Sequence, residues 1–243
     1  MHLASAARSE VGSARSDNED SYLMLCDSGV FVVADGVGGS AAGAVASEMA
    51  VRIIAAEIGS PDGRSDTEVA DRMRLGIWNA NEAIFQRALS EHDKWGMGTT
   101  ATVLVLRPGC YVIAQVGDTR AYRLRNGLLS QLTKDHSYIQ ELVDAGVMTS
   151  SRARNHPYKN VISRCVGTGD NVIPDIYRGS LEPGDTFLVT SDGLTGVLED
   201  EDLVGILSTN GGPRHWVDRM IGEAKRRGGL DDITAIVVRI EAV

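Results

Sequence analysis

Acidic residues stand at the ends of apolar stretches at several places along the sequence. Three stretches, residues 30–36, 112–118 and 187–193, each run through Val, Ile or Leu into an aspartate next to a glycine. Other acids directly precede further apolar stretches, and the full set is Glu19, Asp20, Asp35, Asp118, Asp192 and Asp231. A single Asp-Gly pair is typical of a turn. The recurrence of the pattern predicts instead that these carboxylates converge at one edge of packed sheets.

Converging carboxylates imply a bound cation. Several carboxylates within a few ångströms of one another cannot all stay ionised unless a cation lies between them. Oxygen ligands without nearby His or Cys favour a hard ion, Mn²⁺ or Mg²⁺, over zinc. The five histidines show no HExxH or HxH spacing, which makes zinc less plausible still. Gly36 follows Asp35 and lets the backbone come close, so its carbonyl oxygen could add a ligand.

A competing motif overlaps the first of these acids. Residues 36–41 read Gly-Val-Gly-Gly-Ser-Ala after a predicted strand. They match GxGxxA, and Glu57 follows about twenty residues later, which is the pattern of a dinucleotide-binding turn. However, Glu57 falls inside a predicted helix, and Asp35 would place a negative charge against the pyrophosphate. We therefore favour the metal site.

The acids must be positioned by short strands rich in β-branched residues. Strands are predicted at residues 21–26, 30–34, 99–106, 111–116, 121–124, 186–190 and 233–240. The links Arg107-Pro108-Gly109 and Asn126-Gly127 are short enough to join only antiparallel neighbours. Amphipathic helices are predicted at residues 41–58 and 67–89, and shorter helices at 137–144, 200–208 and 213–227. Helices segregated from antiparallel strands indicate an α+β fold.

No repeat, low-complexity stretch or linker divides the chain, so we expect one domain over residues 1–243. Within it, residues 145–169 are polar and have no sustained period. This segment carries five side chains that are basic or can become so, Arg152, Arg154, His156, Lys159 and Arg164. We predict a surface flap whose positive charge could steer an anionic substrate.

Composition narrows the class of protein. A formal net charge of −9 argues against nucleic acid as the main partner. Three widely spaced cysteines fit neither a disulfide framework nor a CxxC zinc site. The N-terminal residues lack an apolar signal core, and no apolar run is long enough to span a membrane. These features favour a cytoplasmic protein that does not associate with membranes.

Seven short motifs then carry a family resemblance. In chain order they are RSDNED at 15–20, similar to RxxNED; DGVGG at 35–39, similar to DGxGG; GTT at 98–100; GDTR at 117–120, similar to GDSR; LTKDHS at 132–137, similar to TxDHS; SDGL at 191–194; and DDIT at 231–234, similar to DNIT. Together they resemble the PPM family of metal-dependent, type 2C-like serine/threonine protein phosphatases, in its compact bacterial form. The resemblance spans nearly the whole chain.

The resemblance implies an αββα sandwich of two antiparallel sheets flanked by helices, with metal ions in a cleft at one edge. Asp35, Asp192 and Asp231 would be the catalytic metal ligands. Asp35 would bridge two ions, Gly36 would offer its carbonyl oxygen, and Asp192 and Asp231 would complete one ion.

Four further roles follow from the same resemblance. Glu19 and Asp20 would hold the second ion or its waters. Asp118, with Asp192, would form a third and weaker metal site. Arg15 would bind the substrate phosphate, because its planar guanidinium can make paired hydrogen bonds to phosphate oxygens.

The implied activity is hydrolysis of phosphoserine and phosphothreonine on proteins. A hydroxide bridging two Mn²⁺ or Mg²⁺ ions, with room for a third ion, would attack phosphorus in line. The enzyme would reverse a bacterial serine/threonine kinase by acting as a monomer on that kinase's phosphorylated targets. His156 and Arg164 in the flap are candidates for substrate contact. The alternative from another class is a catalytically silent module that binds metal or phosphoproteins.

Two departures from the family pattern affect the expected chemistry. Val37 stands where eukaryotic members often carry a histidine, a candidate acid for the leaving alkoxide, so a metal-bound water, or less plausibly His136 or His156, would have to donate the proton. Asp232 replaces the usual asparagine beside Asp231. Its extra negative charge could tighten metal binding or raise the pKa of a neighbouring group.

Overall fold

Eleven strands and seven α-helices lie in residues 1–153 and 156–242, the part of the chain that this computed structural model describes. The strands are β1 (His2–Glu10), β2 (Asp20–Leu25), β3 (Val30–Val37), β4 (Gly98–Thr99), β5 (Ala101–Arg107), β6 (Cys110–Val116), β7 (Arg120–Arg125), β8 (Leu128–Gln131), β9 (Asp175–Ser180), β10 (Thr186–Thr190) and β11 (Ile233–Ala242). The helices are α1 (Ser40–Ile58), α2 (Asp66–Ser90), α3 (Tyr138–Asp144), α4 (Ser150–Ala153), α5 (Asp192–Thr195), α6 (Asp200–Leu207) and α7 (Pro213–Arg226).

The strands form two antiparallel sheets. The first sheet has the order β1-β11-β10-β7-β8. The second has the order β2-β3-β5-β6-β9, and β4 pairs with β3. The tight links predicted between neighbouring strands join β5 to β6 and β7 to β8, as expected. The α+β class and the antiparallel pairing are therefore confirmed.

Alternation along the strands creates three apolar layers. Val32 of β3 packs under α1 and α2, while Val33, one residue on, faces the first sheet. In β11, Val237 faces α6 and α7, and Val238 faces the second sheet. Successive strand side chains point to opposite faces, so each sheet contributes to two cores. The layer order is helices, sheet, sheet, helices, which confirms the αββα sandwich.

Helix α1 lies close to the second sheet because its contact face is made of small residues. Ala42, Ala46 and Ala50 are buried against the strands. A Cβ atom added to Gly43 would lie 2.9 Å from the carbonyl carbon of Gly36. The first turns of α1 therefore rest directly on β3, at the end of the strand that carries the predicted metal ligands.

Three strands are missing from the predicted ranges, β1, β8 and β9, and all three lie at sheet edges; only β8 was implied, by the Asn126-Gly127 link. All but one of the nine residues of β1 are half-buried, and none is fully buried. Edge strands bury one face against fewer neighbours, so their sequences lack the continuous β-branched run that marks a central strand. The missing signal is thus a consequence of position in the sheet.

The predicted flap contains more regular structure than expected. Helix α4 lies within residues 145–169, and single antiparallel bridges join Thr99 to Val166 and Ser137 to Ile162. Arg154 lies outside the described residues. Within them, no helix combines the length and mean hydropathy needed to cross a membrane.

An ion pair with a buried carboxylate offers a test of what stabilises the first sheet, because it joins the end of β7 to the start of β10. Arg125 Nε and Nη2 each donate to an oxygen of Asp185 at 2.6 Å, and the Asp185 side chain is fully buried. Arg125→Ala would leave that carboxylate buried without its partner, so we expect a loss of about 3–5 kcal/mol in the free energy of unfolding. Urea denaturation measures this loss. Arg52→Ala, which removes an exposed ion pair with Glu48, is the control and should change stability by less than about 1 kcal/mol. Equal effects would contradict the prediction.

Candidate active site

The pairing of β2 with β3 brings two predicted ligands face to face. Asp20 and Asp35 are direct partners in the antiparallel register. The Gly36 N–H donates to the Glu19 carbonyl oxygen at 3.1 Å. The Asp35 N–H donates to Thr100 Oγ1 at 2.9 Å. Asp35 lies inside β3, which continues to Val37, so the expectation that the strand ends at this acid is wrong.

A serine connects the acids of the second sheet to those of the first. Asp192 opens the short helix α5 directly after β10, and Asp231 lies just before β11. Between them, Ser191 Oγ donates to Asp20 Oδ2 at 2.7 Å and accepts the Thr234 N–H at 3.0 Å. The carboxylates of both sheets therefore meet at one edge of the sandwich, as the sequence predicts.

The pKa values of the buried acids are raised. Burial raises the pKa of Asp35 well above its ordinary value, and four other carboxylates add to the rise: Asp20, Asp192, Asp118 and Asp231. Burial and the charge of Asp231 raise the pKa of Asp192 to about 6. Burial also raises the pKa values of Asp20 and Asp118, with a further contribution from Asp192 in each case. Negative charge is thus concentrated at this edge and only partly compensated.

Two oxygen atoms in the cluster are without hydrogen bonds. Glu19 Oε1 and Asp20 Oδ1 are buried and have no hydrogen-bond partner among the described residues. Buried polar atoms normally have a partner, so an unpaired carboxylate oxygen is a ready ligand for a hard cation. No group of three or more Asp, Glu, His or Cys side chains in residues 1–153 and 156–242 is already arranged to hold a metal ion. The donor set suits Mn²⁺ or Mg²⁺, but the carboxylates would have to close further around the ion.

Arg15 contacts the carboxylate cluster directly. Its Nε and Nη2 lie 2.8 and 2.7 Å from Asp231 Oδ1. Its Nη1 lies 3.6 Å from Glu19 Oε2. Both short contacts converge on one oxygen, so Asp231 Oδ2 is not used by Arg15. The Arg15 side chain is about two-fifths exposed, so the residue stays accessible from solvent.

The Asp118 turn is held by structural side chains. The Gly117 N–H donates to His136 Nδ1 at 3.1 Å, and burial lowers the His136 pKa. A buried histidine whose Nδ1 is an acceptor suits a positioning role better than that of a proton donor. Arg120 forms a two-pronged ion pair with Asp135, at 2.9 and 2.6 Å. Arg120 thus has a structural role beside the Asp118 turn.

The flap residues fall into two groups. Arg164 donates to Asp175 Oδ1 and to the Ile173 carbonyl, both at 2.9 Å, so its guanidinium holds the base of the flap. His156 accepts the Tyr158 N–H at 3.2 Å through Nδ1. The exposed Lys159 carries a charge that lowers the Asp192 pKa against the larger rise caused by burial. Lys159 therefore lies within electrostatic reach of the cluster, whereas Arg164 is engaged elsewhere.

Hydrogen bonds that position the acids were not predicted from the sequence. Ser191 and Thr100 bind Asp20 and the Asp35 backbone, and in the motifs SDGL and GTT they were only neighbours of other residues. Asp232 was singled out for its charge, but its hydrogen bond to the Glu19 N–H was not foreseen. Their partners are distant in sequence, so the motifs alone could not identify those contacts.

Comparison with known proteins agrees with this arrangement. The family model for protein phosphatase 2C matches residues 5–225. The serine/threonine phosphatase Stp of Listeria welshimeri is 36% identical over 241 residues, which cover 95% of this chain and 93% of that protein.

Solved structures give the same result. The S. agalactiae serine/threonine phosphatase has a TM-score of 0.92 and 34% identity, covering 99% of this chain and 100% of its own. The catalytic domain of the serine/threonine phosphatase PstP, in complex with two manganese ions, has a TM-score of 0.87 and 33% identity. The match covers 98% of this chain and 97% of the PstP chain. These matches favour an active phosphatase over a silent binding module. The chain therefore belongs to the type 2C protein phosphatase family and is a protein serine/threonine phosphatase.

Proposed function

We propose that the acids at this edge hold divalent metal ions and that Arg15 binds the phosphate to be removed. The observation that carries the proposal is the set of buried carboxylates that raise one another's pKa values, with Glu19 Oε1 and Asp20 Oδ1 unpaired. One metal ion would be held by Asp35, Asp192, Asp231 and the Gly36 carbonyl. The other ions would be held with the help of Glu19, Asp20 and Asp118.

The proposed roles of the metal ions, Asp231 and Arg15 follow from their charges. Divalent cations, when bound, lower the pKa of water and neutralise charge on the phosphoryl oxygens. Asp231 would present Oδ2 to the metal centre while Oδ1 orients Arg15, which leaves the exposed side of the guanidinium for phosphate. The contacts of His136 and the burial that lowers its pKa leave it poorly placed to protonate the leaving alkoxide, so that proton would come from another donor.

We extend the proposal to the identity of the metal ion, the oligomeric state, the compartment and the substrates. The family is metal-dependent, and the two manganese ions of the PstP structure support Mn²⁺, with Mg²⁺ as the other candidate. We propose that residues 1–243 act as one domain and as a monomer in the cytoplasm. Its substrates would be the phosphorylated targets of a serine/threonine kinase. The cationic side chains of the flap, including Lys159, would contribute to their selection.

Metal removal and return test this proposal. Protein stripped with a chelator should not hydrolyse a small aryl phosphate or a phosphothreonine peptide, because the carboxylates alone repel an anionic substrate. Adding Mn²⁺ or Mg²⁺ should restore both activities. Asp62→Asn, which changes an exposed acid on the α1–α2 turn, should respond like the wild type. Folded protein that binds metal and hydrolyses neither substrate would favour the binding module.

Arg15 substitutions should affect substrate binding most. An ionic hydrogen bond contributes about 1.5–3 kcal/mol, so Arg15→Ala should raise KM for the phosphopeptide by roughly 10- to 100-fold. Arg15→Lys keeps the charge but loses the paired hydrogen bonds, so its KM should lie between those of the wild type and Arg15→Ala. Inhibition by inorganic phosphate should weaken in parallel. A lower kcat with unchanged KM and phosphate inhibition would show that Arg15 does not bind phosphate.

A further inference from the structure

The loop that carries Arg15 docks on a distant part of the chain. Residues 12–19, which join β1 to β2, lie along residues 228–232 just before β11. The Ser13 N–H donates to the Gly229 carbonyl at 2.9 Å, and the Ala14 N–H donates to the Leu230 carbonyl at 3.1 Å. These contacts hold the first half of the loop. At its far end the Glu19 carbonyl accepts the Gly36 N–H at 3.1 Å and the Ser47 hydroxyl at 2.6 Å, which ties Glu19 to β3 and α1 but not to the start of the loop.

Asp232 connects the two ends of this loop. Its Oδ1 accepts the Gly12 N–H at 2.9 Å, and its Oδ2 accepts the Glu19 N–H at 2.8 Å. The side chain is buried, with 3% of the residue exposed. Both oxygens therefore accept a backbone N–H, one from each end of the loop.

We call the two hydrogen bonds that Asp232 accepts from Gly12 and Glu19 the Asp232 clamp. This clamp requires a carboxylate. An asparagine has one acceptor oxygen, and its NH₂ group would face the second N–H donor to donor. It could satisfy Gly12 or Glu19 but not both. An alanine could satisfy neither, and each buried N–H without a partner is unfavourable.

We propose that Asp232 is a positioning residue for phosphate binding: by fixing both ends of residues 12–19, it places Arg15 where Asp231 Oδ1 can orient the guanidinium. The inference rests on the proposed role of Arg15. It adds a residue that touches neither phosphate nor metal but determines the geometry of the group that binds phosphate.

The experiment compares Asp232→Asn and Asp232→Ala with the wild type in two measurements. The first is hydrogen exchange of the Gly12 and Glu19 amides by NMR in metal-free protein. We expect loss of protection at one of the two amides in Asp232→Asn and at both in Asp232→Ala. The second is steady-state kinetics with Mn²⁺ and a phosphothreonine peptide. We expect KM to rise about 10-fold in the asparagine variant and about 100-fold in the alanine variant, with kcat within about 3-fold of wild type.

The graded series separates hydrogen bonding from charge. Both variants remove the same negative charge, so an effect of charge alone would make them equal, and that equality would overturn the proposal. Arg125→Ala is the control for general destabilisation: it should lower the protection of these two amides no more than that of amides elsewhere in the fold, and should leave KM unchanged. Protected amides in Asp232→Ala would also overturn the clamp. A wild type without phosphatase activity would contradict the proposed function instead, and the exchange measurement would still decide whether the clamp exists.

Discussion

Asp192→Asn should abolish most of the metal-restored phosphatase activity and at the same time stabilise the metal-free protein. Even the outer partners of metal ligands contribute 10- to 100-fold to metal affinity or activity, so we expect a loss of at least about 100-fold. The free energy of unfolding of the metal-free protein should rise, because the Asp192 carboxylate is costly to ionise in the fold. Burial and the charge of Asp231 raise its pKa to about 6. The variant removes this unfavourable charge.

The pH dependence follows from the direction of the shift. The folded protein holds the Asp192 proton up to about pH 6, whereas the unfolded chain releases it near 3.8. The stability due to this proton is therefore complete below 3.8 and is lost as pH rises to about 6. The loss amounts to about 3 kcal/mol at most, or roughly 5–10 °C in Tm. Asp192→Asn should avoid it.

Thermal denaturation in chelator checks this prediction. The variant should melt above the wild type at pH 7.5, and the difference should shrink towards zero near pH 4. Mn²⁺ should raise the Tm of the wild type and affect the variant much less, because a bound ion stabilises the state that holds it. Asp62→Asn is the matched control. A metal-free variant less stable than the wild type at pH 7.5 would show that Asp192 carries no such penalty.

Gly36→Ala should destabilise the protein by at least about 3 kcal/mol and remove its activity. A Cβ at this position would lie 2.2 Å from the Gly43 carbonyl oxygen and 2.7 Å from the Glu19 carbonyl oxygen. Both obstacles are backbone, so neither can rotate away. Helix α1 or the start of β2 would have to move, and Glu19 would move with it.

Urea denaturation with Gly222→Ala as control tests this steric argument. Gly222 lies inside helix α7, and a Cβ there would meet nothing within 4 Å. That substitution should raise stability by about 0.5–1 kcal/mol, since alanine favours a helix more than glycine does. Wild-type stability and activity in Gly36→Ala would refute the close approach of α1 to β3.

The central elements of the fold were predictable because their burial leaves a mark on the sequence. Strands such as β3 and β10 are buried on both faces, so their sequences are continuous apolar runs. The Asp-Gly pairs that follow these runs contain the predicted metal ligands. The acids of the site were found because several of one type recur at equivalent places. The edge strand β1 was missed because half-burial leaves a mixed sequence. The clamp by Asp232 and the contact of Arg15 with Asp231 were missed because each joins residues more than 200 positions apart.

The pairing of β1 with β11 also bears on when the enzyme can become active during synthesis. His2 of the first strand pairs with Ala242 of the last, and Arg15 meets Asp231 across 216 residues of chain. While the ribosome still covers residues 231–242, the strands of the second sheet and helices α1 and α2 have already emerged, but β1 lacks its partner strand β11 and Arg15 lacks Asp231. The catalytic centre is thus assembled last. A growing chain would be unable to dephosphorylate anything until residues 231–242 have emerged from the ribosome.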